Sequence, residues 1–117
     1  LNNIGKKEEY KMTVKIHKVK CIEPFFSSVW GGFKEFEIRY DDRGYKEGDI
    51  VVLRKYNPIS KKYLKKYIII LITYIIRGTV CLKERYCAFG FNLTHRGLDY
   101  DTEYNKEEMK RIYNGAS

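Results

Sequence analysis

Over residues 13–22 apolar and polar positions alternate imperfectly. Val14, Ile16, Lys18 and Lys20 fall on one side and Lys15, His17, Val19 and Cys21 on the other, which predicts a strand. Glu23-Pro24 then opens a short helix, because proline suits a first turn where its missing N–H is not needed. Phe25, Phe26, Val29, Trp30 and Phe33 share one helical face, and Gly31-Gly32 supplies a left-handed stop. The period returns to two over residues 35–40, with Phe36, Ile38 and Tyr40 on one face and Glu35, Glu37 and Arg39 on the other. Turn signals at 41–44 and 48–49 precede a strand over 50–56, which Asn57-Pro58 ends. Two more strands are predicted at 68–76 and 86–93, joined by Arg77-Gly78 and a charged bend at 83–85. Asn105 caps a last helix, with Glu108 three residues on and Met109, Ile112 and Tyr113 on one side.

The predicted order is β-α-β-β-β-β-α. A small, closed or nearly closed β-barrel with one helix at its end fits this inventory, and an open α+β sheet fits it almost as well. The run at 68–76 is apolar on both faces and is expected at the centre of the sheet. It is too short to span a bilayer as a helix, so no membrane association is expected. A chain of 117 residues fits one domain, and 44% hydrophobic residues exclude intrinsic disorder.

The chain carries a net charge of +8, unevenly spread. Residues 1–20 contribute +4, residues 53–67 contribute +6 with no acid, and residues 97–117 contribute −2. Such a field attracts phosphates; equally, lysines beside a hydrophobic strand keep a loop soluble. Cys21, Cys81 and Cys87 are odd in number and lack CxxC spacing, so they read as small buried residues in or beside strands. With no secretory pattern at its start, the chain is expected in the cytoplasm. His17 and His95 are far apart in sequence, and His17 is expected as a hydrogen-bonded partner rather than a ligand. No metal-ligand spacing, P-loop or dinucleotide fingerprint occurs, so neither metal nor cofactor is expected.

Several runs together resemble the DUF3850 family. They are His17-Lys18-Val19-Lys20, residues 24–29, Gly32-Phe33-Lys34-Glu35-Phe36-Glu37-Ile38-Arg39 and Asp42-Arg43-Gly44-Tyr45-Lys46-Glu47-Gly48-Asp49. Leu53-Arg54-Lys55-Tyr56, Thr73-Tyr74-Ile75-Ile76 and Tyr86-Cys87-Ala88-Phe89-Gly90-Phe91 continue the likeness. Its most specific part is G-x-K-x-x-E-x-R followed by D-R-x-x-x-x-G-D. The resemblance implies membership among the ASCH domains of the PUA-like superfamily, which are β-barrels linked to RNA binding and frequent in bacteria and their phages. The expected fold is therefore mainly β (α+β): a PUA-like/ASCH-like barrel of about five to six strands, with a short helix between the first two and a C-terminal helix. Residues 1–11 are expected as a flexible basic arm, 12–95 as the domain and 96–117 as a tail.

Strand alternation puts Glu37 and Arg39 on one face, with Lys34 at the helix-to-strand junction. A carboxylate with two cations can read a base edge, the glutamate accepting from an exocyclic amine and the cations binding carbonyl or phosphate oxygens. Arg43 and Arg54 would add phosphate contacts, and Tyr45 or Tyr56 a stacking face. The expected function is binding of RNA or a modified nucleotide. The same three charges also fit a salt-bridge network that only fixes the barrel mouth.

Two other classes remain. Similar ASCH proteins include amidohydrolases of N4-acetylcytidine, in which a lysine nucleophile precedes a threonine. Lys34 matches that lysine, but Glu37 stands in place of the threonine and favours a charged amine, which opposes attack. Lys34 and Glu37 are the catalytic candidates under this reading, with Glu84 a positional guess for the later glutamate. The third class is a phage-encoded module whose basic loop docks on a host protein. The oligomeric state is not readable from the sequence.

Overall fold

The structure is a computed structural model that describes residues 14–116. Five strands form one sheet: β1 (Ile16–Cys21), β2 (Phe36–Tyr40), β3 (Ile50–Asn57), β4 (Lys62–Arg77) and β5 (Tyr86–Gly97). Helix α1 (Phe25–Trp30) joins β1 to β2, and α2 (Tyr100–Glu103) and α3 (Lys106–Ala116) follow β5. The spatial order is β1-β3-β4-β5-β2, with β1 parallel to β3 and every other pair antiparallel. The sheet curls into a half-barrel whose two edge strands, β1 and β2, leave an open seam. The mainly β architecture and the helix between the first two strands agree with the sequence reading, and the barrel is open along one side.

Two cores lie on opposite faces of the sheet. The inner one gathers Val19, Val51, Leu53, Ile68, Ile70 and Phe89, and α1 fills the hollow of the curl with Phe26 and Val29. Phe26 N–H donates to the Ile22 carbonyl, tying the helix to the exit of β1. Pro24, joined to Glu23 by a cis peptide bond, stands just before the first helical residue, and the left-handed residue that ends the helix is Gly32, at φ 81°, rather than Gly31. The outer core is smaller: Ile50, Val52, Tyr67 and Ile69 lie under Tyr100, Tyr104 and Met109 of the C-terminal segment. Gly97 stands where any Cβ would come within 2.1 Å of the Tyr67 ring, so a side chain there would overlap the buried tyrosine.

Several expectations change. The basic stretch before residue 67 is not a loop. β4 begins at Lys62 and pairs with β3 down to Asn57↔Lys62, leaving a short turn in which Lys61 takes a positive φ of 57°. The polar Lys-Tyr alternation concealed this part of the strand. Cys21 and Cys87 are buried as expected, whereas Cys81 is exposed on the loop between β4 and β5. The tail forms two short helices, with the Asn105 side chain accepting from Glu108 N–H at 3.0 Å as the capping pattern predicts. The side chains of Ile112 and Tyr113, and the arm at 1–11, lie outside the described residues. No helix among the described residues is long and apolar enough to cross a membrane.

Candidate functional site

Strand β2 is an edge strand and is built inside out. Its pairing with β5 sets Glu37 opposite Phe89 and Arg39 opposite Cys87, facing the inner core. Phe36, Ile38 and Tyr40 point outward and are about half exposed. Both ends of the strand are fixed. Phe91 N–H donates to the Glu35 carbonyl and Asp41 N–H to the Arg85 carbonyl. The Arg77 guanidinium binds the Asp41 carboxylate and the Tyr45 carbonyl. Before the strand, Phe33 and Lys34 N–H groups both donate to the Ser28 carbonyl at 3.0 Å, so the end of α1 sets where Lys34 begins.

Glu37 is only 5% exposed. Its Oε2 lies 3.1 Å from Lys34 Nζ and 3.6 Å from Arg39 Nε. Oε1 is buried and has no hydrogen-bond partner. The Lys34 ammonium rests between the rings of Phe25 and Phe36, at 5.5 and 5.3 Å from their centroids. Across the seam stands Cys21 on β1. Burial, and after it the Glu37 carboxylate, pushes its thiol up to about 12, so at neutral pH it is an uncharged wall and no nucleophile.

The seam beside these residues is a cleft of about 340 Å³ between Cys21 and Ile22 on one side and Glu37–Tyr40 on the other. Phe25 and Tyr86, both exposed, also line it. Next to it, and sharing Lys20, Arg39 and Tyr40, lies a hollow of about 380 Å³ with Lys18 and Arg43 in its wall. One connected depression thus offers a buried carboxylate with exposed rings at one end and cations at the other.

Lys34, Glu37 and Arg39, which the sequence singled out together, do come together. Arg43 lines the cationic hollow and pairs loosely with Asp42 at 4.0 Å. Tyr45 is 1% exposed, its ring packed against His17 and Phe89, so it belongs to the core and presents no open stacking face. Arg54 projects from the opposite face of the sheet, its guanidinium held between the Tyr63 and Tyr100 rings at 4.1 and 3.7 Å. Tyr56 stacks edge-on with Tyr63 and lies under the Lys20 ammonium. Glu84 is exposed on the loop that meets the Tyr40 end of β2, whereas Lys34 precedes the other end. His17 is hydrogen-bonded as expected, with Nε2 2.8 Å from Asp49 Oδ2. Asp49 also accepts from the N–H groups of Lys15 and Lys46, which fastens the β2–β3 loop to β1. Among the described residues no group of three histidine, cysteine, aspartate or glutamate side chains is placed to hold a metal ion.

Sequence reasoning missed Lys18, Lys20, Phe25, Tyr40 and Tyr86 as parts of this depression. Period-two alternation assigns faces but does not say which strands are edges, and it is the edge position of β1 that lets its lysines reach the seam.

Fold and site together define a small curled-sheet domain with a charged cleft at its open seam. A protein-family model, DUF3850, described as a domain of unknown function, matches residues 16–91, and the chain belongs to this family. No curated protein matches the chain.

Proposed function

We propose that the protein binds RNA or a modified nucleotide, with a base seated against Glu37. The observation that carries this reading is the buried, unpartnered Oε1 of Glu37, flanked by two cations. A buried polar atom without a partner costs about 1–3 kcal/mol, and an exocyclic amine of a base supplies the missing donor. Arg39 or Lys34 then donates to the neighbouring ring nitrogen or carbonyl, in the pattern of a base edge. Phe25, Tyr40 and Tyr86 offer exposed rings for stacking. Lys18, Lys20 and Arg43 supply charge for the phosphates. Affiliation with the ASCH domains of the PUA-like superfamily, a cytoplasmic setting and a bacterial or phage origin belong to the same proposal. The curled sheet and the helix between its first two strands support the affiliation.

The amidohydrolase alternative loses support from the 3.1 Å ion pair, because an ammonium paired with Glu37 has no lone pair for an acyl carbon. A protein partner is the second reading. It is favoured by the apolar outer face, where Phe36 and Ile38 stand across Gly90 and Ala88 from Tyr74 and Ile76, and Tyr40 stands opposite Tyr86.

The test is titration with a panel of nucleotides and short RNAs at low salt. Glu37→Gln and Arg39→Ala should each weaken binding by about 1–3 kcal/mol, with little change in melting temperature. A protein with no affinity for any of them overturns the reading.

A further inference from the structure

The depression does not end at the cationic hollow. Arg43 also belongs to a third hollow of about 450 Å³, whose other walls include Lys15 on the approach to β1, Lys46 in the β2–β3 loop, and Lys106 and Lys110 on α3. The first two hollows share Lys20, Arg39 and Tyr40, and Arg43 stands between the second and the third, so the three follow one another along the free edge of β1, from Phe25 and Glu37 to the C-terminal helix. Among the described residues that line this track the only acids are Glu37, committed to Lys34 and Arg39, and Asp42, which faces Arg43. Lys106 and Lys110 stand one turn apart on α3 and both line this third hollow. They come from the segment of the chain with net negative charge, and they lie beyond the residues that the family shares.

We infer that the ligand is a single strand of RNA, about four nucleotides or longer, laid along the β1 edge from Glu37 to α3. This rests on the nucleotide reading of the Glu37 cleft and extends it. One nucleotide fills the carboxylate end and leaves the distal cations without work. A continuing backbone gives each of them a phosphate. A duplex does not fit the same arrangement, because its base amines are paired and stacked, whereas Glu37 is reachable only by a base turned out of a stack.

The experiment measures binding of the full chain by fluorescence anisotropy. The probes are a mononucleotide, and a tetramer, an octamer and a duplex of mixed RNA sequence, over a range of salt. Affinity should rise about tenfold or more from mononucleotide to octamer. In Lys106→Gln/Lys110→Gln the octamer should bind about tenfold more weakly, and the slope of log affinity against log salt should fall by about 1.4. Glutamine keeps helix propensity, circular dichroism checks that α3 persists, and mononucleotide affinity should be unchanged. Affinity independent of length, or a double variant with an unaltered slope, overturns the track while leaving the nucleotide reading in place. Octamer binding that Glu37→Gln does not alter overturns the base-reading end, and with it the nucleotide reading. A duplex, or phosphatidylserine vesicles, competing as well as the octamer would show that the lysines form only a general anionic surface, and would also overturn the inference.

Discussion

Strands β4 and β2 solve the same problem in opposite ways. Around Tyr67–Ile70, β4 is buried on both faces, with α1 against one and the C-terminal helices over the other. β2 turns Glu37 and Arg39 toward the core and leaves Phe36 and Ile38 half in water. A slip of one residue would exchange the two sets and bury more apolar surface, at about 25 cal/mol for each Å². The clamps at both ends of β2 hold the costlier register. The difference teaches where the molecule spends stability: β4 carries the fold, and β2 forgoes apolar burial to keep a carboxylate in place.

That contrast can be broken by substitution. Ile70→Ala, in the fully buried part of β4, should cost about 2–5 kcal/mol in chemical denaturation, since it removes apolar contact and leaves a cavity. Gly97→Ala should cost about 1–3 kcal/mol through overlap with the Tyr67 ring. Alkali should act on the same side of the comparison. Burial, with Glu103 nearby, pushes the Tyr67 hydroxyl up to about 12, against about 10 in an unfolded chain. The folded state therefore holds this proton more tightly. Its contribution is complete below pH about 10, and about 1 kcal/mol is lost by pH 11, with the loss continuing until the folded group titrates. A denaturation midpoint constant from pH 9 to about 12 would contradict this; Tyr67→Phe should lessen the loss without removing it, because burial also pushes the Cys21 thiol and the Tyr104 hydroxyl up to about 12. The smallest effect is expected at β2. Replacing the three charges together, in Lys34→Met/Glu37→Leu/Arg39→Met, should change stability by no more than about 1 kcal/mol while abolishing nucleotide affinity, because apolar residues often replace a whole buried ion-pair network without loss, whereas Glu37→Leu alone would strand two cations. If the triple variant destabilises as much as Ile70→Ala, the division of labour between the strands is wrong.

Much of this was legible in the sequence, for identifiable reasons. The Phe26–Val29–Trp30 spacing marked α1, and the aliphatic run marked the central strand, since both patterns follow from which faces are covered. The Lys34–Glu37–Arg39 grouping was legible because the residues are close along the chain, so local geometry nearly suffices to bring them together. What period two did not reveal was the direction of β2, because alternation is unchanged when a strand is turned over. Nor did it reveal the reach of β4 back to Lys62, where polar residues sit on a strand that extends past the core. Tyr45 and Arg54 were misplaced for a related reason. Their surroundings depend on His17, Phe89 and Tyr100, which are distant in sequence and meet only through the sheet order.

The open seam has one more consequence. It leaves β1 and β2 as free edges, and a free strand edge is a template on which another chain can add itself. Closed barrels have no such edge; here lysines at 15, 18 and 20 stand along it and repel a second copy presenting the same row. The charges that line the track thus also act as guards against chain-to-chain pairing. Occupancy of the seam would cover the edge as well, so it is the empty protein, at high concentration and in salt strong enough to screen its lysines, that is most exposed to aggregation.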